Sequence, residues 1–317
     1  MRVAFVFPGQ GSQSVGMLAA LAATSGTVRD TFAEASSALG YDLWQLTQAG
    51  PAQELNRTEC TQPAMLAAGV ATWRFWREAG GRMPDIVCGH SLGEFTALVC
   101  AGTLEYSAAV EVVAFRARAM QEAVPLGSGA MAAILGLDDA AVLAACREAA
   151  RDGVVEAVNF NGPSQVVIAG DRAAVERAIL AATARGAKRA VLLPVSVPSH
   201  SSLMEPAAER MSERLAGIML RVPGIPYLSA VDAALHSEPE DIRALLARQL
   251  ARPVRWGDAV HAMLATQVQA LIECGPGKVL TGLNRRIERR ANLVCLALED
   301  PAAVKAALTA STGATYA

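Results

Sequence analysis

The sequence predicts an α/β protein in which a parallel-sheet domain is interrupted by a small βαββαβ unit. Three observations carry that expectation. Short apolar runs alternate with helical patterns over residues 1–124, as in a parallel sheet covered on both faces. Between about 125 and 196 the order becomes strand, helix, strand, strand, helix, strand, which is the split-βαβ, ferredoxin-like order. From 197 to 317 the α/β character returns. Residues 1–124 and 197–317 are therefore expected to form one discontinuous larger domain, with 125–196 as its insert.

In chain order, residues 3–7 (VAFVF) are continuously apolar and read as a buried first strand. Helices are expected over parts of 12–39 and over 63–79. A strand at 86–88 leads into a helix at 92–101, and another helix spans 108–123. Within the insert, 129–137 (GAMAAILGL) is a strand, and 138–153 is a helix that starts with Asp and ends with Gly. Residues 154–160 (VVEAVNF) form the next strand, and Asn161-Gly162-Pro163-Ser164 turn the chain into another at 165–170. A helix over 171–186 and a strand over 187–195 complete the unit. Further on, 225–231 (IPYLSAV) and 268–275 (VQALIECG) are strands, the second followed by Pro276-Gly277 and a helix. The Ala-rich stretch after about Pro301 is expected to be loosely ordered.

Composition narrows the function. Apolar residues make up 52% of the chain, yet charged residues, Gly or Pro break every apolar run well short of the ~18 residues a membrane span needs. The opening MRVAFVFPGQ stops its apolar run at Pro8-Gly9, too early for the core of a signal peptide. No membrane association is expected. Six cysteines stand without CxxC or metal-type spacing, so reduced thiols, no metal and a cytoplasmic location are the expectation. A net charge of −2 argues against a general nucleic-acid binder, which needs a basic surplus to neutralise phosphates. Arg285, Arg286, Arg289 and Arg290 form a local basic run, either a solvated helix face or a contact for an acidic partner.

The chemistry concentrates in Gly89-His90-Ser91-Leu92-Gly93, a G-x-S-x-G motif between an expected strand and an expected helix. In so tight a turn, side chains at the flanks would collide with neighbouring elements, which explains a glycine on each side. Ser91 is then held in a strained conformation with its hydroxyl exposed. The Leu92 amide, at the start of a helix, would stabilise a developing oxyanion. A serine nucleophile needs a base, and the chain has four histidines, His90, His200, His236 and His261. His90 directly precedes the serine and is expected to point away and pack. His236 is expected to face solvent, and His261 to be half-buried in a helix. His200, on a loop after a strand-like run and a proline, leads by location. Gly9-Gln10-Gly11 follows the first strand, where a backbone amide or the Gln10 side chain would reach the same sheet edge, or where a plain turn would let Ser12 cap a helix. The G-x-G-x-x-G spacing fails at Ser14, so no dinucleotide cofactor is expected.

Together these pieces resemble one family: the malonyl-CoA:acyl-carrier-protein transacylases of type II fatty-acid synthesis and related acyltransferase domains. The resemblance rests on FPGQGSQ at 7–13, TQPA at 61–64, GHSLGEF at 89–95 and AFRARAMQEAVP at 114–125. It continues through AVNFNGPSQVVIAG at 157–170, PVSVPSHSSLM at 194–204, RQLARPVRW at 248–256 and GPGKVLTGL at 275–283. It implies an α/β-hydrolase-like domain with a ferredoxin-like insert. It also implies transfer of a malonyl group from malonyl-CoA to the phosphopantetheine thiol of an acyl carrier protein, by a monomer, without a cofactor. By the same resemblance Ser91 is the acyl acceptor, His200 its base and Gln249 the residue whose backbone carbonyl orients the histidine. Gln10 and the Leu92 amide are the oxyanion donors, and Arg116 holds the malonyl carboxylate. Read alone, a helix arginine would be assigned to the surface. Met120, four residues after Arg116, shares its face and either lines the pocket or packs in the core, whereas Arg118, about 200° round the helix, faces elsewhere. The carriers of this family are acidic, which makes the 285–290 arginines a docking candidate. Ser229-Ala230 stands where many bacterial members have two asparagines, a change expected to loosen contacts near the site. The RAR at 116–118 also replaces a glycine that often follows the arginine. The rival reading is a serine hydrolase, for which Asp232 with His236 or His261 would supply acid and base. A catalytically silent docking subunit would need neither.

Overall fold

The computed structural model describes residues 1–311 except 152 and 196, so the joint expected at 196 lies outside the described residues. Among these, ten strands follow in order: β1 (Val3–Phe7), β2 (Ile86–Gly89), β3 (Gly129–Leu135), β4 (Val155–Phe160), β5 (Gln165–Asp171), β6 (Arg189–Leu192), β7 (Tyr227–Ser229), β8 (Ala234–His236), β9 (Ala270–Glu273) and β10 (Val294–Ala297). One sheet has the order β10-β9-β1-β2-β7-β8. It is parallel except for β8, which returns antiparallel on β7. The α/β expectation holds.

β1 lies inside this sheet and shows why its sequence has no polar alternation. Val3, Phe5 and Phe7 join the core on one face, while Ala4 and Val6 join a second core on the other. Phe5 meets Trp73 and Trp76 edge-on, with centroids 5.7 and 5.3 Å away. Trp73 and Trp76 come from the helix Thr58–Glu78, which begins five residues before the expected start and carries Pro63 inside it. The bond Pro63 forfeits is to the carbonyl of Glu59, a partly exposed residue, so the helix passes through.

β3 to β6 form a separate antiparallel sheet of order β4-β5-β3-β6, the ferredoxin-like arrangement. Helices Asp139–Ala150 and Arg172–Ala184 cover one face, burying Val142, Ala145, Val175 and Ala178 against Ile134 and Ile168. The expected Asp at the first helix's start is Asp138, which caps it by accepting from the Ala141 amide at 2.7 Å. The other face, with Met131, Val158 and Val167, turns toward the larger sheet. Two backbone bonds of 2.8 Å, from the Phe160 amide to the Val254 carbonyl and from the Val254 amide to the Val158 carbonyl, tie the insert to the segment before the helix Trp256–Ala265.

Two readings fail, the alternative of a helix capped by Ser12 and the loosely ordered tail, and β10 was not expected. No helix starts at Ser12: the chain after β1 runs through turns until Ala19–Ala22, and the Gly11 amide is held by the Gln13 side chain at 2.7 Å. β10 was not anticipated, because its four residues form an edge strand with only Cys295 fully buried, and so carry little pattern. The stretch after Pro301 is a helix, Pro301–Ser311, that buries Val304 and Ala307. Alanine has the highest helix propensity, so a short apolar stripe suffices to dock it; the rest of the tail, 312–317, lies outside the described residues. Among the described residues no helix is long and apolar enough to cross a membrane.

Candidate active site

β1 and β2 are paired neighbours, so the segments leaving their carboxyl ends, Gln10 and Ser91, emerge side by side at the sheet edge where α/β proteins place ligands. The turn after β2 is as tight as its glycines suggest. A Cβ on Gly89 would sit 2.0 Å from the Gly93 carbonyl carbon, and one on Gly93 2.0 Å from the Phe7 carbonyl oxygen. Ser91 takes φ 52°, a left-handed conformation that a side chain adopts only under constraint. The amides of Gly93, Glu94 and Phe95 bond back to the carbonyls of His90, Ser91 and Leu92. That leaves the Leu92 amide, one residue after the hydroxyl, outside the hydrogen bonding of the turn.

The Ser91 hydroxyl stands 2.7 Å from His200 Nε2. His200, itself at φ 69°, is set on its loop by a 2.9 Å bond from its amide to the Leu250 carbonyl. Its Nδ1 faces two backbone carbonyls, Gln249 at 2.8 Å and Arg252 at 3.1 Å. Carbonyls only accept, so Nδ1 carries the hydrogen and Nε2 is free to take the serine proton. Burial above all, and then the nearby Arg116 cation, push the imidazole down to about 3, so it stays neutral as a base must.

Arg116 is not on the surface: it is 1% exposed. Nη1 donates to Gln62 Oε1 at 2.7 Å, and Nη2 to Gln249 Oε1 at 3.0 Å and to Ser91 Oγ at 3.3 Å. Among the described residues its Nε has no partner. Burial lowers its pKa to about 10, with Glu94 opposing; it remains a cation at neutral pH. Met120, one turn on, receives a 3.4 Å contact from Gln62 Nε2, while Arg118 is exposed. Gln10, Ser91, Leu92, Arg116, Met120 and His200 all line one cavity of ≈ 100 Å³. The insert roofs it with Met131 and Asn159. Gln249 is buried behind that lining.

The acyl transferase domain family matches residues 4–298. The chain belongs to the acyl transferase domain family. It is 56% identical over 306 residues to the malonyl CoA-acyl carrier protein transacylase of Salmonella typhimurium, covering 96% of this chain and 98% of that one. Against the protein of the same name from Bacillus subtilis it is 42% identical over 308 residues, 97% and 96% of the two chains. Among solved structures, the acyl-carrier-protein S-malonyltransferase of Burkholderia pseudomallei superposes with a TM-score of 0.94 at 54% identity, covering 98% of this chain and all of that one (100%). A malonyl-transacylase solved in complex with its type II PKS acyl-carrier protein gives 0.96 at 51% identity, with coverage of 98% and 100%.

Several polar residues of this acyl transferase went unread in the sequence. Glu94 is the only charged residue in the helix Gly93–Cys100 and is fully buried. One carboxylate oxygen accepts from Ser229 Oγ at 2.8 Å and the Ala230 amide at 2.6 Å; the other accepts from Gln249 Nε2. At the Ser229-Ala230 departure the Ser229 hydroxyl bonds Glu94, beside a backbone amide that any residue but proline at 230 would supply. A lone carboxylate amid GEFTALVC was the available signal for Glu94; for Gln62 there was only its place in TQPA. His90 is a structural residue, bonded to Asn161 at 2.8 Å and packed 5.5 Å from the Trp256 ring, though it also borders the cavity. His236 is not solvent-facing: its side chain is 17% exposed and paired with Asp232 at 3.1 Å. His261 is exposed rather than half-buried, because its helix turns Ala259, Val260 and Met263 inward and the intervening position outward.

Proposed function

We propose that this chain moves a malonyl group from malonyl-CoA to the phosphopantetheine thiol of an acyl carrier protein through a malonyl-serine ester. One observation carries the reading: a buried guanidinium lies 3.3 Å from the hydroxyl of a Ser–His pair, inside the same cavity. An ordinary ester hydrolase has no use for a cation there, whereas a dicarboxylic acyl group brings a free carboxylate for it to hold through parallel hydrogen bonds.

In the first half-reaction Ser91 Oγ attacks the thioester carbonyl as its proton passes to His200 Nε2. Gln10 and the Leu92 amide receive the oxyanion, and the C–S bond then breaks, with the histidine returning its proton to the CoA sulfur. The second half-reaction runs in reverse with the carrier thiol as nucleophile. The Gln249 carbonyl holds the His200 tautomer where a triad would use an acid. Met120 borders the acyl group. The chemistry needs neither metal nor redox cofactor. All the proposed site residues come from one chain, so a monomer suffices, and six unpaired thiols suit the cytoplasm. Arg285, Arg286, Arg289 and Arg290 are exposed and offer a positive face to an acidic carrier.

The test is intact-mass analysis after mixing with malonyl-CoA, followed by addition of the carrier with or without its phosphopantetheine arm. A one-malonyl adduct that is absent in Ser91→Ala, and discharged only by the armed carrier, is expected. Release of free malonate without an acceptor, as fast as transfer, would make the protein a hydrolase.

A further inference from the structure

Arg116 is held by two glutamine side chains, and the one from Gln249 is itself held by a group the proposed chemistry never touches. An arginine only donates, so Gln249 presents Oε1 to Arg116 at 3.0 Å. Its Nε2 then donates to the Ser91 carbonyl at 3.0 Å and to Glu94 Oε2. Reversing this amide would set its oxygen against a carbonyl and a carboxylate, and its NH₂ against the guanidinium. What fixes it is that Glu94 accepts on both oxygens, the other taking Ser229 Oγ and the Ala230 amide.

We propose that Glu94 is a positioning residue for malonyl selectivity: as an acceptor-only carboxylate it locks the Gln249 amide, whose oxygen aims Arg116 at the acyl group. The inference rests on the reading of Arg116 as the malonyl carboxylate's partner. It also gives this buried acid a task, since a lone ionised carboxylate costs much to bury without compensation. Glutamine at position 94 would be isosteric but wrong in polarity. Its oxygen would stay with Ser229 and Ala230, and its NH₂ would confront the NH₂ of Gln249, so Arg116 would lose the partner that orients it. Protonation should act alike. Burial raises the Glu94 carboxyl to about 7 against the opposing hydrogen bonds from Ala230, Ser229 and Gln249. The other charged or titratable groups near it are Arg116, from the helix Tyr106–Glu122, Tyr227 on β7 and Cys88 on β2.

The experiment measures initial rates of malonyl and acetyl loading by intact mass in the full chain and in Arg116→Ala, E94Q, Q249M and the E94Q/Q249M double variant, with circular dichroism to check folding. Q249M removes the amide but keeps the backbone carbonyl that faces His200. The malonyl-to-acetyl ratio should fall about tenfold in E94Q, as for loss of one charge-assisted hydrogen bond, and comparably in Q249M. The double variant should fall no further, because the two act in series. In the unaltered protein the ratio should drop as pH falls below about 7, and Q249M should lack that limb. If Arg116→Ala leaves the ratio unchanged, the malonyl reading of Arg116 fails. If Arg116→Ala lowers it while E94Q and Q249M keep it, only the role of Glu94 fails, and additive losses in the double variant also overturn that role. Should E94Q not fold, Q249M decides: a retained ratio or a retained acid limb refutes the proposal, and loss of both upholds it.

Discussion

Arg116 Nη2 donates to the Ser91 hydroxyl over 3.3 Å, so a buried cation touches the oxygen proposed to accept the acyl group before any acyl group arrives. A malonyl carboxylate gives that guanidinium a better acceptor than a neutral hydroxyl, whereas an acetyl group gives it nothing. Arg116→Ala should therefore slow malonyl loading of Ser91 about 10²-fold while slowing acetyl loading less than about tenfold, the difference reflecting lost charge-assisted hydrogen bonds of about 1.5–3 kcal/mol each. Rates of acyl-enzyme formation from the two thioesters measure it. Equal losses would mean that the arginine serves the hydroxyl and not the acyl group.

The same cation shapes the pH profile. His200 is held down to about 3 by burial first and by Arg116 second, so acetyl loading should stay level from pH 8 to about 5, well below the usual histidine value of 6.5. Removing Arg116 deletes the second cause and should move the acid limb upward. Stability follows with a definite sign. The folded pKa lies below the unfolded one, so the stability this residue contributes is complete above about 6.5 and is lost as pH falls through about 3. His200→Gln should flatten the loss of urea resistance across that window.

How legible each feature was depended on how local its cause is. The strand VAFVF and the G-x-S-x-G elbow could be read because burial on both faces and steric crowding act on neighbouring residues. Arg116 read alone was assigned to the surface, since its partners Gln62 and Gln249 lie 54 and 133 positions away; only the family resemblance placed it. Glu94 went unnoticed for the same reason, with Gln249 at a separation of 155. β10 and the helix after Pro301 were missed because neither an edge strand nor an alanine-rich helix has a strong apolar period. Their order comes from the neighbours they dock on.

The elbow makes a steric prediction. Alanine at position 93 would push its methyl to 2.0 Å from the Phe7 carbonyl oxygen, so the Ser91 turn and β1 would have to separate. Overpacking of this kind costs about 1–3 kcal/mol and occasionally more. Gly93→Ala should lower the unfolding free energy by that amount and, because the hydroxyl moves off His200 Nε2, cut acyl-enzyme formation out of proportion to the stability loss. Measuring both on the folded fraction separates the effects. A variant that loads at the normal rate would show that the turn tolerates displacement.

The Asp232–His236 pair offers the sharpest contrast with the hydrolase reading. Asp232 bonds His236 Nε2 at 3.1 Å and pairs with Arg248 at 3.2 Å, which looks like the acid and base of a Ser–acid–His order. Yet neither Asp232 nor His236 borders the cavity that holds Ser91, and His200 already occupies the hydroxyl at 2.7 Å. A partly exposed pair of this kind is worth at most about 1 kcal/mol. Asp232→Asn should leave transfer to the carrier within about twofold of normal and shift stability by no more than that amount. A far larger fall in both Asp232→Asn and His236→Ala, with His200→Ala still active, would transfer the base's role to His236 and restore the hydrolase.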